Sequence, residues 1–311
     1  MNNKCDKCNK KSSILLPYGP HNFCKRHFIG FFERRARRTI SRHRLIRRGE
    51  RIAVGLSGGK DSGTTLYLLN KFFPKTNEII AIMLDEGIPK YRDKALEIAE
   101  ENCKKWKIKY VKRTFKKEFG ITMMQIMKKI AKDENLGSTC SFCGVLRRYL
   151  LNKTAKELKC DKIATGHNLD DEAQSILMNI FDNDPKRLAR LGAIAGIGET
   201  EEFVPRIKPL YETPEKDIIA YASFNGIKSY SEECCPFKWQ AKRNLFRSEL
   251  DKFEEKSPGT KYKILSFFKN MKPLLAAEQK KEKLHKCAKC RSITSEKNKY
   301  CMVCLQLEKV K

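Results

Sequence analysis

Six consecutive residues, Ser57-Gly58-Gly59-Lys60-Asp61-Ser62, combine the groups that a bound phosphate needs. The two glycines let the main chain come close to an anion. Ser57 and Ser62 donate hydrogen bonds, Lys60 brings a point charge, and Asp61 offers oxygen to a hard cation such as magnesium. The loop follows the β-rich run Glu50–Leu56 and opens a helical stretch, so free amides and the positive end of a helix dipole meet at the same spot. Its spacing is not that of a Walker A loop, which has four residues between its first glycine and the Gly-Lys pair. A second segment, Ala164-Thr165-Gly166-His167-Asn168-Leu169-Asp170-Asp171-Glu172, has the same strand-to-helix character. Gly166 permits close approach of a nucleotide. The three acidic residues charge a helix N-terminus, which also suits a plain cap. Asp171 is the candidate here for acid–base or metal work.

Thirteen cysteines supply a second chemistry. In a reducing compartment such a number argues for metal rather than disulfides. Cys5-x-x-Cys8 with Cys24-x-x-His27 has the ligand count of a zinc knuckle, and Cys287-x-x-Cys290 with Cys301-x-x-Cys304 is a second set of the same kind. His21 and His285 lie near these sets and read as ordinary residues. Cys140-x-x-Cys143, with Cys234-Cys235-Pro236 far along the chain, is a third group. Three thiolates are too few for a closed zinc site and suit a [4Fe–4S] cluster with one iron left open. A persulfide-carrying redox pair, or a zinc site completed by Cys234, stays open on spacing alone. Cys103 and Cys160 stand apart.

These groups need a scaffold. Strand signals at Glu50–Leu56, Glu78–Leu84, Ile108–Thr114 and Lys162–Thr165 alternate with helical stretches at 61–73, 91–105, 144–158 and 170–181, followed by helices at 214–225 and 238–255. That alternation predicts an α/β fold with a doubly wound parallel sheet, whose ligands bind beyond the carboxyl ends of the strands. Both glycine-containing segments fall at such ends, and Cys140–Gly144 is expected just before a helix. Residues 1–28 read as an N-terminal zinc finger, 29–275 as the catalytic domain and 276–311 as a C-terminal zinc finger entered through a lysine-rich linker. The two finger modules resemble each other only in ligand spacing.

The charge concerns partners. With 65 basic and 37 acidic residues the formal net charge is +28. The helix expected at 30–48 carries an arginine cluster, and Arg34, Arg35, Arg37 and Arg38 are its candidate RNA contacts. Phe31, Phe32, Ala36, Ile40 and Leu45 are its expected inward residues. No signal peptide or apolar run long enough for a membrane span is visible, so a soluble cytoplasmic protein is expected.

Taken together, S-G-G-K-D-S, C-S-F-C-G, T-G-H-N-L-D-D-E and E-E-C-C-P resemble the TtcA/TtuA family of tRNA 2-thiolation enzymes, in the family order and over almost the whole chain. The terminal cysteine sets point to its TtuA-like branch. The resemblance implies a PP-loop ATPase domain that splits ATP into AMP and pyrophosphate, adenylates the carbon-2 oxygen of a tRNA uridine and replaces it with sulfur. It implies a [4Fe–4S] cluster on Cys140, Cys143 and Cys235, two zinc ions on the terminal sets, and ATP with magnesium. The ATP site would comprise Ala53, Gly55, Ser57, Gly58, Gly59, Lys60, Asp61, Ser62, Met83, Gly166 and His167. Lys60, Asp61, Asp171 and Arg147 would be catalytic. The family carries one cysteine before the proline where this chain has two, so Cys234 rivals Cys235. The implied partners are tRNA and a sulfur donor, either sulfide or a thiocarboxylated ubiquitin-like protein, with a homodimer and either a wobble or a T-loop uridine left open. The rival readings are another PP-loop tRNA-modifying adenylase using cysteine persulfide, or a non-catalytic zinc-finger RNA-binding protein.

Overall fold

The computed structural model describes residues 4–19, 21–195, 203–230, 242–277, 284–295 and 299–310. The chain opens with a small antiparallel hairpin, β1 (Ile14–Leu16) and β2 (His21–Phe23), leading directly into α1 (Lys25–Arg42). The phosphate-loop motif lies between β3 (Arg51–Gly55) and α2 (Lys60–Phe72). β4 (Glu78–Asp85), α3 (Tyr91–Trp106) and β5 (Lys109–Thr114) follow, then the short helices α4 (Phe115–Phe119) and α5 (Met123–Ile130) and the long α6 (Thr139–Glu157). β6 (Lys162–Ala164) leads into α7 (Leu169–Phe181) and α8 (Pro185–Ala189), then β7 (Ile194–Ala195) and β8 (Arg206–Ile207). Three helices, α9 (Glu215–Phe224), α10 (Arg243–Lys256) and α11 (Thr260–Ala277), precede a second hairpin, β9 (Leu284–Lys286) and β10 (Ile293–Ser295), and the last helix α12 (Met302–Lys309).

The central sheet runs β5-β4-β3-β6-β8-β7 and is parallel except for β7, which pairs antiparallel with β8 at one edge. The order reverses at β3, the point at which nucleotides bind in doubly wound sheets. The middle strands are apolar throughout because both faces are covered: Ile79–Leu84 of β4 are all buried. One face packs on α2, α3, α7 and α11 through residues such as Leu66, Leu69, Leu96, Ile176 and Phe268. The other packs on α5 and α6 through Ile126, Phe142, Leu146 and Leu150, and the same cluster runs on into Cys287, Cys301, Val303, Cys304 and Val310. The C-terminal cysteine set is therefore built into the core beside α6.

The N-terminal set is built in on the other side. Phe28 and Phe32 of α1 are fully buried with Leu68, Tyr221 and Ile227, and the Phe32 and Tyr221 rings stack at 4.1 Å. Around them Arg35 reaches Asp217 at 2.7 Å and Tyr18 at 2.5 Å. The C-terminal end of α1 is held by Glu212, whose carboxylate meets His43 at 3.1 Å, Arg42 at 3.4 Å and Lys269 of α11 at 2.5 Å.

Several sequence expectations change. Helix α6 starts at Thr139, not near Val145, because Ser138 caps it by accepting a hydrogen bond from the Ser141 amide and Gly144 does not break it. Cys140 and Cys143 thus belong to its first turns. Helix α1 runs from residue 25 to 42, so Arg44, Arg47 and Arg48 lie beyond it. Part of the stretch expected as a linker forms β9. The two terminal modules share more than spacing, since each is a β-hairpin followed by a helix.

Candidate active site

The turn after β3 is shaped by two glycines. Gly58 has a φ of +87°, and a Cβ placed there would sit 2.1 Å from the carbonyl oxygen of Ala95. Gly166, at the end of β6, lies against the Asp61–Ser62 peptide, where a Cβ would come within 2.7 Å of main-chain atoms. The two motifs read separately in the sequence are thus in van der Waals contact. Within the loop the Ser57 and Ser62 hydroxyls lie 3.0 Å apart, and Ser62 Oγ accepts from the Ser57 amide at 3.1 Å. The first amides of α2 have no intrahelical acceptor, which is the arrangement that receives anions.

Charge converges on this turn. Lys60 Nζ lies 3.1 Å from Asp61 and 2.6 Å from Glu215, and Glu215 also pairs with Arg247 of α10. Burial pushes the Asp61 carboxyl up in spite of Lys60, and the charges of Asp171 and Glu215 add to the rise. Burial would raise Glu215 as well, but Arg247 and Lys60 outweigh it and hold its carboxyl below the usual range. Asn168, 2% exposed, joins the acids: its Nδ2 donates to Asp61 at 3.1 Å, while its Oδ1 accepts from the Asp171 amide and its own amide donates to the Asp171 carboxylate. Asp171 meets Arg243 at 3.1 Å. Asp170 pairs with buried Lys261 at 2.5 Å, and Glu172 with Lys208 at 2.5 Å, so these two hold the frame together. His167 Nδ1 lies 2.9 Å from the Thr165 hydroxyl. The other expected nucleotide contacts lie deeper. Ala53 and Met83 are sealed in the core and Gly55 packs near Leu151, so Ala53 and Met83 have only main chain to offer a ligand.

The cysteine helix is wired to the same turn. Arg92, 3% exposed, donates to the carbonyls of Ser57 at 2.8 Å and Leu84 at 2.7 Å. It lies 2.7 Å from Glu86, and Glu86 lies 2.6 Å from Arg147 of α6. Arg147 is therefore held in place by a buried carboxylate one turn after Cys143. Cys140 is exposed and Cys143 half-buried on the first turns of α6, where the dipole favours thiolate charge. Their i, i+3 spacing on a helix presents both to one side, which fits two ligands of a cluster. Cys234 and Cys235 lie outside the described residues. Gln306 of α12 donates to Ser141 Oγ at 3.3 Å, between the two cysteines.

Each terminal set brings its four ligand atoms within 4.8 Å of one another. Tetrahedral zinc–thiolate bonds imply sulfur–sulfur distances of about 3.8 Å. Cys8 and Cys24 stand 3.8 Å apart, Cys290 and Cys301 3.5 Å apart, and Cys5 Sγ lies 3.4 Å from His27 Nδ1. Both sets use one device: Cys24 is the residue before α1 and Cys301 the residue before α12, with His27 and Cys304 in the first turns. Burial would raise the Cys5 thiol, but the amides of Cys24 and Lys7 and the His27 side chain bring it down to about 6. Cys287 is likewise brought to about 6 against its burial by the amides of Cys301, Cys290 and Lys289. Such thiols favour the metal-binding form. No disulfide joins cysteines among the described residues.

Of the four arginines expected to meet RNA, Arg34, Arg37 and Arg38 are exposed, and Arg37 lies over the Phe72 ring. Arg35 departs from that expectation, because its guanidinium turns inward to Asp217 and Tyr18. No helix among the described residues is long and apolar enough to cross a membrane.

A family model described as a PP-loop domain matches residues 31–253. The tRNA 2-thiolation protein NcsA of Haloferax volcanii is 35% identical, with 99% of each chain covered. The tRNA-5-methyluridine(54) 2-sulfurtransferase of Pyrococcus horikoshii is 35% identical over 94% of this chain and 90% of its own. Among solved structures, the U34-tRNA thiolase NcsA from Methanococcus maripaludis with its [4Fe-4S] cluster superposes with a TM-score of 0.84, at 34% identity, covering 99% of this chain and 96% of that one.

Proposed function

The chain belongs to the PP-loop family, among its tRNA 2-thiolation proteins, and from that premise we infer that it is an ATP-dependent tRNA sulfurtransferase that installs 2-thiouridine. The observation that carries the reading is the link from the phosphate loop to the cysteine helix: Ser57, Arg92, Glu86 and Arg147 form one continuous chain of contacts between them. A phosphate loop alone would serve any adenylating enzyme, and a cysteine pair alone would serve many metal proteins. Held in register beside each other, they serve an enzyme that activates a carbonyl and then delivers sulfur to the same carbon.

ATP would place its phosphates in the turn Ser57–Ser62, against the first amides of α2, with Lys60 turning from Glu215 to the phosphates. Asp61, raised by burial and by its acidic neighbours, gains most from a divalent cation, and Asn168 fixes its orientation. The carbon-2 oxygen of a uridine attacks the α-phosphorus, pyrophosphate leaves, and Lys60 and Arg147 offset the charge that builds on phosphate. Asp171, anchored by Asn168 and Arg243, would orient the cation or accept a proton. Cys140 and Cys143, with Cys235 or its neighbour Cys234, would hold a [4Fe–4S] cluster, which when bound supplies the sulfur that displaces AMP. Sulfide or a thiocarboxylated ubiquitin-like protein would replenish that sulfur. Zinc on the two terminal sets would clamp α1 and α12, making residues 1–28 and 276–311 metal-dependent modules around the catalytic domain at 29–275. The reduced cysteines suit the cytoplasm.

The direct test is nucleoside mass spectrometry of tRNA, mapped by position, from cells lacking this protein. Loss of a 2-thiouridine at one position is expected, and an unchanged thiouridine content would refute the reading.

A further inference from the structure

Between the nucleotide turn and the cysteine helix stand two arginines that the chemistry above does not use. Arg148 follows Arg147 on α6, just over one turn beyond Cys143. Arg206 opens β8. Their juxtaposition is fixed by the backbone. The amide of Val204 donates to Asn152 Oδ1 of α6 at 2.9 Å, which pins the approach to β8 against that helix. One helical turn from Asn152, towards the carboxyl edge of the sheet, lies Arg148. Two residues on from Val204, on the same side of an extended chain, lies Arg206. The next residue, Ile207, belongs to the opposite face, while Val204 packs on the α6 side. The backbone therefore brings Arg148 and Arg206 to the same side of the Asn152–Val204 contact, near enough for their charges to repel.

Arg148 and Arg206 make no ion pair with any described residue, whereas most other arginines near the site do: Arg92 and Arg147 with Glu86, Arg243 with Asp171, Arg247 with Glu215. A third cation, Arg187 of α8, comes close enough to repel Arg148. Desolvation and then that repulsion lower the Arg148 pKa while the charge of Cys143 raises it, and desolvation and Arg148 lower that of Arg206. On its other flank Arg206 reaches the surroundings of His167, and the Thr165 amide donates to Ile207 at 3.0 Å. Arg187 has its own partner in Asp184 at 3.2 Å, but Arg148 and Arg206, brought together from α6 and β8 with no ion pair among the described residues, repel each other, and an anion that joined them would relieve that repulsion. Guanidiniums suit phosphate because their planar fork meets two oxygens at once.

We propose that Arg148 and Arg206, with Arg187 on the outer side, form the seat of a tRNA backbone phosphate next to the target uridine. The inference rests on the tRNA thiolation reading. A base drawn out of its stack towards the nucleotide turn carries its own phosphates with it. A grip on one of them between Cys143 and His167 sets how far the base can enter. An ATP phosphate is a poorer fit, because the nucleotide turn already has its own lysine and helix amides.

The test uses the full-length protein loaded with its metals, and tRNA binding is measured across a range of monovalent salt. Replacing both residues with glutamine should weaken binding at least tenfold and reduce the log–log salt slope by about one unit, the contribution of one phosphate. Arg148→Lys with Arg206→Lys should retain the slope, since it keeps the charge. ATP affinity without tRNA, and iron content, should match the parent. An unchanged slope in the glutamine variant while the parent binds tRNA would overturn the phosphate seat and leave the thiolation reading standing. A parallel loss of ATP affinity or of iron would also overturn it, by assigning the arginines to those ligands. A parent protein that binds no tRNA at all would remove the underlying reading itself.

Discussion

Arg92 Nε lies 2.7 Å from Glu86 Oε2, with both side chains almost wholly sealed from solvent. The same carboxylate also holds Arg147 at 2.6 Å. A carboxylate buried between two guanidiniums is worth little as a net source of stability, yet removing it strands the buried charge of Arg92. Glu86→Ala should therefore cost about 3–5 kcal/mol in denaturant unfolding. Arg147→Ala removes a partly exposed partner and should cost less than about 1 kcal/mol while lowering tRNA-dependent AMP formation. A Glu86→Ala protein as stable as its parent would show that the buried triad is not what joins the loop to α6.

The phosphate turn predicts its own products. Turnover with tRNA should release AMP and pyrophosphate, read by chromatography of labelled ATP. Lys60→Ala and Asp61→Ala should each lower that rate by a hundredfold or more, in line with loss of groups aimed at developing charge, and should leave metal content unchanged. Release of ADP and phosphate would contradict the assignment.

The cysteines separate by metal. Elemental analysis of anaerobically purified protein should give about two zinc per chain, one for each four-ligand set, together with iron. Cys8→Ser or Cys290→Ser should lower zinc by about one equivalent and reduce solubility or tRNA affinity before ATP cleavage. Cys140→Ala or Cys143→Ala should bleach the protein and abolish thiolation. Cys235→Ala should do the same and Cys234→Ala should not. The reverse result would move the third ligand by one position, and full activity without iron would favour a persulfide on Cys140 or Cys143.

Helix α1 offers a contrast within four residues. Replacing exposed Arg34, Arg37 and Arg38 with glutamine should flatten the salt dependence of tRNA binding by up to about three units, with little change in stability. Arg35→Gln should instead destabilise the protein, because it leaves Asp217 buried beside Tyr18 without its cation. A melting curve and a salt titration on each variant decide between the two roles, and identical behaviour of all four would count against both.

Acid should loosen the end of α1. Burial opposes ionisation of Glu212, but His43, Lys269 and Arg42 outweigh it and hold its carboxyl at about 2 against an ordinary 4.5. A depressed carboxyl contributes fully above the unfolded value and loses its contribution as pH falls from 4.5 towards 2. The shift corresponds to roughly 3 kcal/mol. Glu212→Gln should therefore be less stable than the parent near neutrality, with the gap closing below about pH 4. Urea midpoints at a series of pH values read this directly, and a gap independent of pH would reject it.

The parts legible in the sequence are those whose chemistry is local. The Ser57–Ser62 turn and both four-ligand sets are short patterns, and the strand–helix alternation around them sets the sheet. The links among them are not local. Glu86, Arg92 and Arg147 come from three elements, and Glu215 reaches Lys60 across 155 positions of chain. No spacing rule announces such pairs. Asn168 caps α7, and nothing in the sequence around it shows that its spare Nδ2 will hold Asp61. Other differences had a signal. Arg35 falls on the same helical stripe as Phe28, Phe32 and Thr39, and that periodicity marks it as inward despite its charge. The start of α6 was obscured by Gly144, a residue that a well-capped helix tolerates. Helix α5 also had a signal, since Met123, Ile126 and Ile130 recur at helical spacing and all three are buried.

The packing of α12 against α6 has a consequence for synthesis. Gln306 reaches Ser141 between Cys140 and Cys143, and the Val310 carbonyl accepts from Lys129 of α5 at 2.6 Å. A chain emerging from the ribosome has long since made its cysteine helix when residues 301–310 are added. Until those residues arrive, one side of that helix has no cover. If Cys140 and Cys143 hold a cluster and the terminal sets hold zinc, the cluster site is covered only after residues 301–310 have folded onto it, so the metals should enter in an order that follows translation: N-terminal zinc early, C-terminal zinc late, iron last.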